Sequence, residues 1–332
     1  MASKPIRIGI SACLLGQEVR FDGGHKRDPF LTDVLGQYAD WVPVCPEVEV
    51  GMGTPRETLR LVRAGPDVRM VTTRTGVDYT ARMNGWARRR VAVLAREDLD
   101  GYVLKSDSPS CGMERVKVFS GPGPAIRDGR GLFANVLLAA LPLLPVEEEG
   151  RLRDPRLRDH FIERVFAYRR LKDHFARRWS VASLVAFHTA HKLSLLAHST
   201  TAYRWLGRLV ADSGKRPRGE LRQAYERLFM TTIARPATIS RHANVLMHMA
   251  GHLKRRLDDA SRQQLAECIE EYRTGLVPLA VPVTLIGHHV RVHDVTDLSG
   301  QTYLRLNGSA SERQRVSHAN GARRRSGARE SV

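Results

Sequence analysis

Three of the four cysteines in this chain stand just beyond short apolar runs with strand character. Cys13 follows IRIGIS, Cys45 follows WVPV, and Cys111 lies in LKSDSPSCG. In an open α/β sheet, the loops that leave the carboxyl ends of the strands gather along one edge, and residues distant in sequence meet there. Thiols gathered in a reducing compartment are better suited to metal ligation than to disulfide pairing. Three of them leave a four-coordinate metal or a cluster one ligand short, and an open coordination position is where chemistry takes place.

The segments around these runs alternate between strand and helix character. Residues 5–11 and 42–44 predict strands, with a short helix over 29–37 between them. PRETLRLV has the spacing of one or two helical turns ending near Ala64, and VRMVTTRTGVDYT predicts an edge strand or hairpin. Residues 81–97 predict a long amphipathic helix with Arg88, Arg89 and Arg90 exposed. GYVLK and VKVFSG predict further strands, and an apolar helix over 131–141 closes the region. Such alternation predicts an α/β N-terminal domain with a mostly parallel sheet covered by helices.

The character changes at PVEEEGRLRDP, whose charges, Gly150 and Pro155 predict a linker. From Leu157 to about Arg273 apolar residues recur at helical spacing, which predicts an all-α C-terminal domain. Pro278 and Pro282 restrict helix continuation beyond it. The expected organisation is therefore a first domain over 1–148, a helical domain over 149–306 and a disordered basic tail over 307–332. The tail is polar and arginine-rich, with almost nothing to bury.

The chain's 332 residues carry a net charge of +18, most of it from arginine. Guanidinium groups suit phosphate oxygens, so RNA or DNA contact through the basic helical domain and tail is one expectation. Arginine enrichment by genome composition is the other, and charge does not separate them. No apolar run is long enough to cross a bilayer. The N-terminal stretch is too short and too interrupted for a signal peptide, so a cytoplasmic protein without membrane contact is expected.

Around the cysteines stand residues with useful chemistry. Glu47, two positions after Cys45, is close enough to face the same site, and a carboxylate beside a Lewis acid activates water or receives a proton. Its alternative is a solvated loop residue. Ser108 and Ser110 stand close before Cys111, either hydrogen-bonding a substrate or a cluster sulfur or forming a turn and cap. Lys105 ends its strand, and RFDGGHKRD offers Arg20, Asp22 and His25 on a backbone freed by Gly23 and Gly24. No CxxC occurs, which disfavours a zinc ribbon. Cys268 falls in QQLAECIEEY, a helix of the other domain, where a packed thiol is expected. His188 with His191, and His248 with His252, share helix faces, but lacking a third ligand they point to polar packing or phosphate contacts. Ser240, Arg241 and His242 in TISRHANV are accounted for by helix capping or by an anion at a helix start.

Together SACLLGQEVRFDGG, VCPEVEVGMGTPRE and LKSDSPSCG resemble the 2-thiouracil desulfurase family of iron–sulfur proteins, over roughly residues 5–145. FHTAHKLSLLAHS, RPATISRHANVLMHMAGHLKRRL and VPLAVPVTLIGHH resemble the YbgA-like helical domain, whose role is uncertain. The first resemblance implies a 4Fe–4S cluster held by Cys13, Cys45 and Cys111, with the fourth iron open to the sulfur of a thiolated pyrimidine base, nucleoside or nucleotide. It implies a non-redox desulfurase: water activated at Glu47 attacks the sulfur-bearing carbon, and sulfur leaves by way of the cluster as hydrosulfide. Ser108 is then the candidate for proton delivery, with Ser110 after it, and Ser110, Asp22 and Lys105 are candidates for substrate binding. Two other functions use the same residues. One is a nucleic-acid-associated protein with a structural or redox-sensing cluster, and the other is a zinc protein.

Overall fold

The computed structural model describes residues 5–121 and 123–305. The stretch 307–332, expected to be a disordered tail, lies outside the described residues. Two compact units are present, one ending at Phe166 and the next beginning at Ala167.

Among the described residues, the first unit contains eight strands: β1 (Ile6–Ser11), β2 (Ala39–Val44), β3 (Leu59–Ala64), β4 (Asp67–Thr72), β5 (Gly101–Leu104), β6 (Val116–Phe119), β7 (Ile126–Gly129) and β8 (Val146–Glu148). They form two sheets, ordered β2-β1-β5-β8 and β4-β3-β6-β7. The first sheet is parallel throughout, as the βα alternation predicts. In the second, β3 pairs antiparallel with β4 and parallel with β6, while β6 and β7 are antiparallel.

β1 lies inside its sheet, and Ile8 and Ile10 are fully buried. A central parallel strand is covered on both faces, which accounts for its near-continuous apolar run. Its core includes Leu31, Leu35, Val103, Phe161 and Val165. Burial of each such side chain contributes roughly 1.5–3 kcal/mol. Three α-helices precede β8: α1 (Pro46–Glu49), α2 (Thr80–Leu94) and α3 (Leu132–Ala140). In α2, Met83, Ala87, Val91 and Leu94 are buried, a stripe at helical spacing. Trp86 of α2 meets Phe133 of α3 with ring centroids 5.6 Å apart.

Three sequence expectations are corrected here. PRETLRLV supplies strand β3, not a helical turn, because Leu59–Ala64 pairs along its length with β4 and places Leu61 in the core. PVEEEGRLRDP is not a linker: Val146–Glu148 is β8, paired with β5, and Glu147, Glu148 and Glu149 are all buried. Arg90 is not an exposed arginine. Its guanidinium reaches the Glu49 carboxylate at 3.0 Å, while Arg88 and Arg89 are exposed.

Helix α4 (Pro155–Ala176) contains the division between the units. The second unit continues with α5 (Val181–Ala190), α6 (Lys192–His198), α7 (Thr200–Ala211), α8 (Arg218–Ile233), α9 (Ile239–Leu253), α10 (Asp259–Thr274) and α11 (Ala280–Val292). Side chains cap the starts of several helices: Ser180, Ser199, Thr238 and Asp258 each accept a backbone N–H of the first turn. Pro282 falls in the first turn of α11, where a missing N–H costs no helical hydrogen bond. Leu246, Met249, Leu253, Ile269, Ile286 and Tyr303 belong to one core.

His188, His191 and His198 are buried polar parts of this unit's interior, whereas His248 and His252 are exposed on α9. His188 Nδ1 lies 3.2 Å from the Tyr225 hydroxyl, and His242 Nδ1 lies 2.8 Å from that of Tyr303. His191 Nε2 accepts from Arg170 Nε at 3.1 Å, and its Nδ1 lies 2.8 Å from the Phe187 carbonyl. Cys268 is buried on α10. Among the described residues, no helix is long and apolar enough to cross a membrane.

Candidate functional site

β1, β2 and β5 run parallel, so their carboxyl ends open onto one edge of the sheet. Cys13 lies in the 3-10 turn Ala12–Leu15 directly after β1. Cys45 directly follows β2 and caps α1, and Cys111 lies in the loop after β5. All three line a single cavity of about 360 Å³ that Glu47, Lys105 and Ser108 line as well. Among the described residues, no three His, Cys, Asp or Glu side chains close on a single ion as they stand.

Cys111 is buried, and Cys13 and Cys45 are half-buried. Burial, then the neighbouring Cys45, pushes the Cys13 thiol up to about 11, while Lys105 and Arg20 oppose that rise. Burial raises Cys45, and it raises Cys111 well above the ordinary thiol range. Any metal or cluster bound here therefore displaces protons from thiols as it binds. Soft sulfur donors from three separate loops, facing one cavity, fit a 4Fe–4S cluster with one iron left without a cysteine.

Glu47 is fixed on both oxygens. Its Oε2 accepts from Arg56 Nε at 2.9 Å and Nη2 at 2.6 Å. Its Oε1 accepts from the Ser110 hydroxyl at 2.8 Å. A carboxylate oxygen has two lone pairs, so Oε1 keeps one for a further donor such as water. Arg56 is itself anchored by the carbonyls of Gly53 and Val19, at 2.9 and 3.0 Å.

The two serines have different surroundings. The Ser108 hydroxyl accepts the N–H groups of Ser110 and Cys111, at 3.2 and 3.1 Å, and shapes the turn that carries the cysteine. Ser110 is fully buried and touches Glu47. Gly131 allows the start of α3 to close on this turn, because a Cβ there would lie 2.5 Å from the Ser110 carbonyl. The N–H groups of Leu132 and Phe133 then donate to the carbonyls of Pro109 and Ser110.

Lys105 Nζ donates to Glu149 Oε1 at 2.6 Å and to the Ser106 carbonyl and hydroxyl at 2.9 and 3.1 Å. All three of its donors are thereby engaged, so it contributes fixed positive charge at the cavity wall. Asp22 is exposed. Its carboxylate accepts from Gly24 N–H and Arg20, which hold it below the usual carboxylate range. It shapes the loop that brings Arg20 and Phe21 to the cavity.

Sequence reasoning missed Arg56, Glu49 and Glu149. Arg56 lies in the same VCPEVEVGMGTPRE block as Glu47, and an arginine nine residues beyond a candidate carboxylate was the available signal. Glu49 accepts the Cys45 N–H at 3.2 Å and pairs with Arg90, so it joins the Cys45 turn to α2.

A model of the 2-thiouracil desulfurase family matches residues 8–149. YbgA of Escherichia coli, an uncharacterized protein, is 36% identical over 155 residues, which are 46% of this chain and 90% of YbgA. YbbK of Bacillus subtilis, also uncharacterized, is 31% identical over 108 residues, covering 31% of this chain and 71% of YbbK. The N-terminal region of the chain, residues 8–149, belongs to the 2-thiouracil desulfurase family. The matched region takes in Cys13, Cys45, Cys111, Glu47 and both serines. A second family model, of unknown function (DUF1722), matches residues 192–306, within the helical unit. A solved structure, described as the 4Fe–4S-dependent thiouracil desulfidase TudS, is 31% identical, covers 45% of this chain and 94% of its own, and has a TM-score of 0.37.

Proposed function

We propose that the protein is a cytoplasmic, iron–sulfur-dependent desulfurase that replaces the sulfur of a thiolated pyrimidine by oxygen from water. The convergence of Cys13, Cys45, Cys111 and Glu47 on one cavity is the observation that carries this proposal. Membership of the 2-thiouracil desulfurase family supports the substrate class. Cys13, Cys45 and Cys111 would hold the cluster, which when bound supplies Lewis acidity toward the substrate's sulfur.

The chain's own residues supply the proton chemistry. Glu47 Oε1 holds a water through its remaining lone pair and takes a proton as that water's oxygen bonds to the sulfur-bearing carbon. Arg56 and Ser110 keep the carboxylate from turning away, and positioning of this kind carries much of a catalytic gain. The carbon–sulfur bond breaks as the carbon–oxygen bond forms, and sulfur departs as hydrosulfide. No electron donor or acceptor is needed. Ser108 orders the Cys111 turn, and Ser110 is the serine poised to exchange a proton with Glu47.

The test is sulfide release by anaerobically reconstituted full-length protein supplied with 2-thiouracil, its nucleoside and nucleotide, and thiolated RNA. The expected result is sulfide and the oxygen-containing product in equal amounts. Glu47→Gln should lower release by about 10²–10⁴-fold at unchanged iron content. Salt-sensitive nucleic-acid binding without turnover of any thiolated compound would instead support a structural or redox-sensing cluster.

A further inference from the structure

The loop between β5 and β6 carries Cys111, and consecutive carboxylates at the end of β8 hold both of its ends. Glu149 holds the entry. Its Oε2 accepts the Ser106 N–H at 2.7 Å, and its Oε1 accepts the Ser106 hydroxyl at 2.8 Å and Lys105 Nζ at 2.6 Å. Glu148 holds the exit, where its Oε1 accepts the Met113 N–H at 2.6 Å. Between the two grips, Ser108 Oγ accepts the Cys111 N–H. β8 pairs with β5 so that Glu148 stands opposite Leu104, the last residue of β5. The acids therefore stand beside the point where the loop departs.

Glu148 and Glu149 are 6% and 7% exposed, so neither is a solvated surface acid. Withdrawing a carboxylate from water is costly, and an apolar side chain would fill an edge-strand position more cheaply. What these acids do that apolar residues cannot is fix backbone N–H groups. Those N–H groups lie on either side of Cys111.

We propose that Glu148 and Glu149 are positioning residues that set the span of the Cys111 loop, and thereby the place of the Cys111 sulfur opposite Cys13 and Cys45. The inference rests on reading the three cysteines as one ligand set. It goes beyond that reading by assigning the two acids a role in holding one ligand.

The test is alkylation of metal-free full-length protein with iodoacetamide under anaerobic conditions, with each cysteine followed by mass spectrometry. In Glu148→Ala, Cys111 is expected to react about tenfold faster or more, as the loop opens locally. In Glu149→Gln, which keeps the side chain's volume but turns one acceptor into a donor facing Lys105 and Ser106, the same acceleration is expected. In both variants Cys13, Cys45 and the Cys268 control should stay within about twofold of wild type. Glu148→Gln, whose carbonyl still accepts from Met113, should restore the slow Cys111 rate. An unchanged Cys111 rate in Glu148→Ala and Glu149→Gln would overturn the proposal. So would equal acceleration of all four cysteines in Glu149→Gln, since that marks general loss of structure. Failure of the wild-type protein to take up iron or release sulfide would count against the desulfurase function, while the alkylation rates would still decide whether the loop is clamped.

Discussion

Arg56 presents two donors to a single oxygen of Glu47, with Nε 2.9 Å and Nη2 2.6 Å from Oε2. The Arg56 side chain is 6% exposed and also binds two backbone carbonyls, so the carboxylate is set against a fixed support. Oε2 is thereby filled, and the spare lone pair of Glu47 lies on Oε1, the oxygen that also receives Ser110.

Arg56→Lys should uncouple this support. Lysine offers a compact charge and cannot bridge Glu47, Gly53 and Val19 with the planar geometry of a guanidinium. Sulfide release at saturating substrate should fall by about 100-fold, the scale of a 1 Å misplacement, while iron content stays at the wild-type value. Unchanged turnover would show that the Arg56 contact does not orient the base.

The two serines should separate by what they damage. Ser110→Ala removes the hydroxyl that donates to Glu47 Oε1 and should lower turnover with the cluster retained. Ser108→Ala removes the acceptor for the N–H groups of Ser110 and Cys111, so it should lower iron retention first. A support of this type is worth about 10–100-fold in metal affinity. Iron analysis beside turnover distinguishes the two outcomes, and the reverse pattern would make Ser108 the proton-handling residue.

Acid should weaken the helical unit through His191. Burial, aided by Arg170, lowers this histidine from 6.5 to about 3 in the folded protein. A base depressed in the fold stays neutral there while the unfolded chain takes up a proton below about 6.5. Its stabilising contribution is therefore intact above that pH and declines as pH falls toward about 3. The limiting slope is about 1.4 kcal/mol per pH unit for one proton. His191→Gln, which keeps an acceptor for Arg170, should flatten the dependence of the helical unit's thermal midpoint between pH 6.5 and 4. His188 and His174 are also lowered by burial, so part of the slope should remain. An unaltered slope would mean that His191 is not buried in its neutral form.

Gly131→Ala should strain the Cys111 turn from the side of α3. The backbone there is ordinary, with φ −61° and ψ 141°, so the objection to a Cβ is space alone. A Cβ 2.5 Å from the Ser110 carbonyl forces the turn or the helix to shift, at about 1–3 kcal/mol. A lowered thermal midpoint together with reduced iron retention is the expected result. A midpoint equal to wild type would show that the turn yields without cost.

Much of this arrangement is legible in the sequence. Strand-like runs ending in cysteine imply convergence at one sheet edge, and the parallel pairing of β1, β2 and β5 produces it. Glu47 is legible because it lies two residues beyond one of those cysteines. β8 is not, because Glu147 and Glu148 carry no apolar signal. Their neighbour Glu149 finds its donors 43 and 44 residues earlier, at Ser106 and Lys105. β3 is obscured for a related reason: Arg60 and Arg63 interrupt its apolar residues and imitate helical spacing. Arg90 looks exposed as the last of three arginines in a row, although helix rotation carries it toward Glu49.

The most direct measurement follows sulfide release from 2-thiouracil as a function of iron loaded into the anaerobic protein, with zinc-loaded protein alongside. Release rising in proportion to cluster content, up to about four irons per chain, and absent with zinc is the predicted result. A fully loaded brown protein that releases no sulfide from any thiolated pyrimidine, or a colourless protein with stoichiometric zinc that does, would contradict it.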